Sequence, residues 1–254
     1  MRKIAAFGLF FLFSVIFNVT HASLKGLHIG VDPGHGGADT GATCKDLHES
    51  DIALSTALAL EEFLEADGAT VVMSRKNDQY LYLASRANLF NSKDVEYMVS
   101  VHYNAIECTR SANGVLALIY RNMCSETGGK LAHSIVPQVT NKTGLDTQQY
   151  VSETSPPCPD KPGIFHGKYT ILMETSMPAT LIEVSFITNP DENQRLRDPE
   201  YLRANGWAIY AGVADFLGEE PLPLDGGDNG DAEKCVIIKV CPVMGKPTIN
   251  FHFE

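Results

Sequence analysis

Seven residues near the amino end, Val31-Asp32-Pro33-Gly34-His35-Gly36-Gly37, set one histidine in a proline- and glycine-rich turn directly after an apolar run, Leu27-His28-Ile29-Gly30-Val31. The run reads as a buried strand, and the glycines let the backbone turn through conformations that other residues avoid. A histidine there is clear of bulky neighbours, which suits metal ligation or proton transfer. A glycine turn carrying a surface histidine is the plainer reading, and the motif alone leaves both open. Three further polar residues could join it. His102 closes the apolar run Tyr97-Met98-Val99-Ser100-Val101, Glu183 interrupts Thr180-Leu181-Ile182-Glu183-Val184-Ser185-Phe186, and Glu49 opens the amphipathic segment after the His35 loop.

In an open parallel sheet, ligands collect at the carboxyl ends of the strands, where loops and helix N-termini converge. His35, Glu49, His102 and Glu183 all fall at that rim. Two histidines and a carboxylate make a tripod for Zn2+ that leaves a coordination position for water and lowers that water's pKa to about 7. A second carboxylate beside the metal can take the water's proton and hand it to a leaving nitrogen. Glu183, flanked by Ile182 and Val184, suits that duty. Each residue also has an ordinary explanation. Glu49 is the kind of first-turn acid that a helix dipole favours, with His48 beside it as a substitute ligand. His102 reads equally as a strand-end histidine and Glu183 as an exposed-face acid, but four such residues at one rim favour chemistry. His28, His133 and His166 fall on a strand, a helix and a proline-rich loop, and read as structural or surface residues. A thiol nucleophile, Cys108, is the rival chemistry.

The elements that must position these groups alternate along the chain. Residues 49–67 put Ile52, Thr56, Leu60 and Phe63 on one helical face with Gly68 as the stop. A strand at 69–74, a helix at 81–92, a strand at 115–120 and a helix over 126–143 closed by Gly144 follow in turn. Residues 147–167, with Pro156, Pro157, Cys158, Pro159 and Pro162, read as a long irregular loop. Two helices begin at Asn189-Pro190 and Asp198-Pro199, each with an N-cap residue and a proline at the first helical position. The second runs to about Leu217. Alternation of this kind predicts an α/β fold: a single domain with a mostly parallel twisted sheet and helices on both faces.

Composition limits what such a domain can do. Residues 1–22 carry Arg2 and Lys3, an apolar run from Ile4 to Val19, and small residues at Thr20 and Ala22, the pattern of a signal peptide cleaved after Ala22. An uncleaved anchor is the alternative, for which the run is short. Cleavage removes two positive charges and takes the net charge from −11 to −13. An acidic chain disfavours nucleic acid and anionic membrane surfaces as partners. All six cysteines, Cys44, Cys108, Cys124, Cys158, Cys235 and Cys241, lie beyond the signal. An even count after a secretory signal favours disulfides in an oxidising compartment, and the sequence leaves the pairing open. Residues 219–254 read as an acidic linker and a short tail, a hairpin that Cys235–Cys241 could close.

These residues resemble a known family, the zinc-dependent N-acetylmuramoyl-L-alanine amidases of bacterial cell walls. The stretches that carry the likeness are Val31 to Gly37, Glu49 opening a helix, Arg86-Ala87-Asn88, Ser100-Val101-His102-Tyr103-Asn104-Ala105, and Met177 to Asn189. The resemblance covers residues 27–217, so the catalytic domain is expected over 23–218. It implies a sheet of about six strands and one catalytic Zn2+. The activity it implies is cleavage of the amide between the lactyl group of N-acetylmuramic acid and L-alanine of the stem peptide. By the resemblance, His35, Glu49 and His102 are the zinc ligands and Glu183 the catalytic carboxylate, while Asn104 and Arg75 organise loops. The loop at 147–167 and the rim cysteines Cys44 and Cys108 depart from the family pattern.

The expectation is therefore a monomeric, secreted or periplasmic zinc amidase acting on peptidoglycan or its muropeptide fragments. It has no nucleic-acid partner and no stable membrane association once the signal is removed. Two alternatives stand beside it: a zinc peptidase cutting within the stem peptide, and a non-catalytic peptidoglycan-binding module.

Overall fold

The structure is a computed structural model that describes residues 24–120, 123–149 and 155–225. The signal peptide expected at 1–22 and the pairing of Cys235 with Cys241 lie outside those residues. In chain order the elements are β1 (His28–Pro33), β2 (Thr43–Cys44), β3 (Leu47–His48), α1 (Glu49–Ala66), β4 (Thr70–Met73), α2 (Leu83–Asn91) and β5 (Tyr97–Asn104). They continue with β6 (Leu116–Tyr120), α3 (Thr127–Thr143), β7 (Ile164–Gly167), α4 (Thr170–Glu174), β8 (Ala179–Phe186), α5 (Pro190–Arg195) and α6 (Pro199–Leu217).

Six strands form one sheet in the order β4-β1-β5-β8-β6-β7. Every neighbouring pair is parallel except β6 with β8. Strand residues alternate between two apolar layers. Ile29, Val31, Val99, Val101, Ile182 and Val184 pack into the larger layer with Leu60 of α1, Ile135 of α3 and Ile209 of α6. Met98, Leu116, Leu118 and Leu181 pack into the smaller with Phe90 of α2 and Ile171 of α4. By that alternation His102 and Glu183 share the face of Met98 and Leu181, and the register sets them directly side by side. The helices thus cover both faces, as the alternation requires.

Local chemistry fixes the helix ends. The Asn189 side chain accepts from the backbone N–H of Asp191 and Glu192, and that of Asp198 accepts from Glu200. Gly144, left-handed at φ 72°, ends α3 as expected. Three features differ from the sequence reading. First, β5 does not stop before His102 but continues to Asn104, because β8 keeps pairing with it through a shift in register. Second, the stretch 147–167 is not irregular throughout: Ile164–Gly167 is the edge strand β7, parallel to β6. Four residues preceded by prolines carry too little alternation to be seen. Burial of Ile164 and Phe165 and the disulfide Cys124–Cys158 make the strand. Third, residues 219–224 at the start of the expected linker lie on the domain, the Leu222 carbonyl accepting from Trp207 Nε1 at 2.7 Å and its N–H donating to the Tyr210 hydroxyl at 2.7 Å.

Candidate metal centre

The His35 loop owes its shape to two buried arginines. Arg86 donates to a carboxylate oxygen of Asp32 at 2.9 Å, to the Pro33 carbonyl at 2.6 Å and to the His35 carbonyl at 2.5 Å. Arg75 donates to the carbonyls of Pro33, Gly34 and Ser50 at 3.2, 2.5 and 2.9 Å, tying the loop to the first turn of α1. Asp32 also accepts from the hydroxyls of Ser74 and Ser100, at 2.5 and 2.8 Å. Asp32, Arg75 and Arg86 are each 2% exposed, and burial of the cluster is tolerated because both Asp32 oxygens and every guanidinium nitrogen find a partner. His35 itself has φ 58°, a conformation uncommon outside glycine that the surrounding hydrogen bonds hold in place.

Small residues make the room. A Cβ on Gly34 would lie 2.4 Å from the His102 ring, and one on Gly41 would lie 2.5 Å from the His35 ring and 2.7 Å from Glu49 Oε2. Either substitution would push a site side chain out.

Glu49 lies at the centre. His35 Nε2 stands 3.1 Å and His102 Nδ1 2.9 Å from its Oε1, which also accepts from the Tyr103 N–H at 3.2 Å. Its Oε2 accepts from the Ala42 N–H at 2.9 Å. The rings of His35 and His102 meet edge to face, centroids 5.0 Å apart. Burial disfavours charge on each of the three. The hydrogen bonds and mutual attraction outweigh it, holding Glu49 ionised well below the usual carboxylate range and raising His35 to about 9 and His102 in the same direction. The carboxylate and the two imidazoles offer one oxygen and two nitrogen donors that could hold a cation in place of the protons. Donor atoms of the three residues lie within 4.8 Å of one another.

Asp39 has no counterpart in the sequence reading. Its Oδ2 lies 2.9 Å from His35 Nδ1, so it accepts that ring's N–H and points Nε2 at Glu49. Its distance from the histidine in sequence, a turn closed by Gly36 and Asp39, offers no spacing rule that would have singled it out.

Glu183 stands beside His102 in the sheet register. One of its oxygens, Oε2, is sealed from solvent and has no hydrogen-bond partner among the described residues. Burial first, and then the charge of Glu49, push its pKa up to about 7, against the pull of His102 and His35. A carboxyl group poised at neutrality next to a cation site is suited to exchanging protons.

The other candidates are elsewhere. His48 turns to the small β2–β3 hairpin, its Nδ1 3.0 Å from Thr43 Oγ1. Cys108 is joined to Cys44, which removes the thiol nucleophile. His133 is exposed on α3, and His166 sits with its Nε2 3.3 Å from Cys124 Sγ. Cys124, Cys158 and His166 also bring three donor atoms together, but the two sulfurs are joined in a disulfide and are not thiolate ligands. Asn104 turns its Oδ1 onto the Ala105 N–H at 2.8 Å, a loop-organising bond.

The chain is similar to known proteins in sequence and in fold. The profile of the N-acetylmuramoyl-L-alanine amidase family matches residues 29–215. A germination-specific N-acetylmuramoyl-L-alanine amidase of Bacillus subtilis is 29% identical over 214 residues, spanning 79% of this chain and 84% of that relative. The amidase CwlM of Bacillus licheniformis is 32% identical over 180 residues, spanning 69% of this chain and 63% of that relative. Among solved structures, the amidase AmiC2 of Nostoc punctiforme superimposes with a TM-score of 0.66 at 25% identity, over 77% of this chain and 99% of that one.

Proposed function

This chain belongs to the N-acetylmuramoyl-L-alanine amidase family, and from that premise we propose that His35, Glu49 and His102 hold one zinc ion while Glu183 is the catalytic acid and base. It is an amide hydrolase of peptidoglycan. The bond assigned to it joins the lactyl group of N-acetylmuramic acid to L-alanine of the stem peptide.

One observation carries the metal assignment: a buried carboxylate oxygen with an imidazole nitrogen on either side at 2.9 and 3.1 Å. Ligands at about 2.0–2.2 Å around a tetrahedral zinc stand roughly 3.3–3.6 Å apart. The two imidazole nitrogens need to part from the Glu49 oxygen by only a few tenths of an ångström to fit. When bound, zinc supplies Lewis acidity, polarising the amide carbonyl and making water a stronger acid at neutral pH.

The remaining work belongs to the side chains. Glu183, with its pKa near 7, takes a proton from the attacking water and returns it to the alanine nitrogen, so that the nitrogen leaves as a neutral amine. Asp39 fixes the tautomer of His35, and the Tyr103 and Ala42 N–H groups fix both oxygens of Glu49. Arg75 and Arg86 hold the loop that presents His35. Export to the wall is part of the same proposal. It is supported by the apolar run before Ala22 and by two disulfides. No helix among the described residues is long and apolar enough to cross a membrane.

The test is digestion of purified peptidoglycan with the mature protein, with and without a chelator and zinc restoration. New amino-terminal L-alanine that disappears with chelator and returns with zinc is the expected result. A new amino terminus inside the stem peptide identifies a peptidase, and chelator-insensitive binding without product identifies a binding module. Glu183→Gln should keep zinc at wild-type stoichiometry while kcat falls about 10²–10⁴-fold. Unchanged kcat removes Glu183 from the chemistry.

A further inference from the structure

We propose that Tyr80 and Tyr82 form an aromatic platform at the mouth of the metal centre that binds a sugar ring of the glycan, the pyranose whose lactyl group is cut. The proposal rests on the amidase reading and extends it to a subsite.

Its first support is a helix start that forgoes a stabilising residue. Tyr82 occupies the N-cap of α2 and makes no side-chain capping bond. Serine, threonine, aspartate or asparagine at that position satisfies an orphan N–H of the first turn, which a tyrosine leaves to water. The ring is not used in the core instead: Tyr82 is 70% exposed, with Tyr80 at 48% and Leu83 at 53%. Three of the eight exposed large hydrophobic side chains among the described residues thus fall in one four-residue stretch, where packing does not account for them.

Placement is the second support. The stretch is bound to the His35 loop at three points. The Gly37 N–H donates to Asp78 Oδ1 at 2.6 Å. A single guanidinium, that of Arg86, donates to the Leu81 carbonyl at 3.3 Å and to the His35 carbonyl at 2.5 Å. A Cβ on Gly37 would lie 2.5 Å from the Tyr80 nitrogen, so the two backbones are in contact. The backbone that carries the tyrosines is therefore anchored to the loop that presents His35.

Ring geometry and substrate chemistry supply the third. Tyr80 and Tyr82 meet edge to face, centroids 5.2 Å apart and planes at 79°, which leaves ring faces uncovered. A pyranose presents axial C–H groups to such a face, and the apolar face of a tyrosine ring matches them. In the proposed substrate the sugar is joined to the scissile carbonyl through one short ether link. A sugar ring must therefore lie beside the metal centre whenever the amide is in place.

The experiment compares two substrates, an N-acetylmuramoyl peptide and the same peptide carrying only an N-terminal lactyl group. With Tyr82→Ser the KM for the sugar-bearing substrate should rise roughly 3- to 10-fold, the size of an aromatic contact. The KM for the lactyl peptide and kcat for both should stay at wild-type values. The melting temperature should hold or rise, because serine restores the cap. Tyr82→Phe should keep the wild-type KM, and Tyr80→Leu should reproduce the serine phenotype without touching the cap. An equal change with both substrates, or no change with either, overturns the platform while leaving the amidase reading intact. So does a Tyr82→Ser protein of lowered melting temperature, which would give the ring a packing role. Wild-type protein that frees no amino-terminal L-alanine from either substrate or from purified peptidoglycan overturns the amidase reading, and the platform falls with it; cleavage of peptidoglycan alone overturns the platform only.

Discussion

The floor of the candidate metal centre and the β7 edge of the sheet both lie in proline-bearing stretches of the chain, yet different forces order them. Beneath His35 the loop is held by charge: Arg75, Arg86 and Asp32 are buried together, the arginines donating to backbone carbonyls and Asp32 accepting from Arg86 and from the Ser74 and Ser100 hydroxyls. At the edge, a four-residue strand preceded by prolines is secured by one covalent bond, Cys124–Cys158, with a sequence separation of 34. Hydrogen bonds fix direction as well as distance, which a site needs if donor atoms are to meet within tenths of an ångström. A disulfide mainly removes freedom from the unfolded chain, which is enough where a strand needs only to be kept in place.

Three sets of substitutions test that division. The largest effect is expected of Arg86→Met, which leaves the Asp32 carboxylate buried without its cationic partner. Stability should fall by about 3–5 kcal/mol in a denaturant titration, with loss of activity. Adding Asp32→Leu should recover much of the stability but not the activity, because the His35 carbonyl still lacks its donor. Recovery of both would mean that the cluster serves stability alone. Next comes the pair Cys124→Ser and Cys158→Ser, expected to cost about 2–4 kcal/mol while leaving kcat per folded molecule unchanged. A fall in kcat would show that the edge reaches into the site. The smallest is Asp39→Asn, which removes the charge that orients His35 and should weaken zinc binding about 10- to 100-fold in a chelator competition with little change in melting temperature. Unchanged affinity would assign the orientation of His35 to its backbone alone.

Legibility in the sequence divided along the same line. The parallel strands, the capped helices after Asn189 and Asp198, and the helix ended by Gly144 are written in local periodicity and capping residues, and the structure follows them. His35, Glu49, His102 and Glu183 could be singled out because strand ends in such a sheet share a rim, and the structure does bring them together. Asp39 and β7 could not, because what makes them matter is a neighbour far away in the chain or a turn without a spacing rule. The same holds for disulfide pairing, which six cysteines leave open until the fold brings Cys44 beside Cys108 and Cys124 beside Cys158.

By itself the sequence determined the class of the fold and offered two histidines and two carboxylates as candidates for binding a cation and moving a proton, because those follow from periodicity and from functional groups that each residue carries with it. Only the tertiary structure decided that one oxygen of Glu49 faces both imidazoles, that His48 turns away, and that Glu183 is left with an unpartnered oxygen. Distance, burial and the electrostatic balance among buried groups exist only once strands distant in sequence lie side by side.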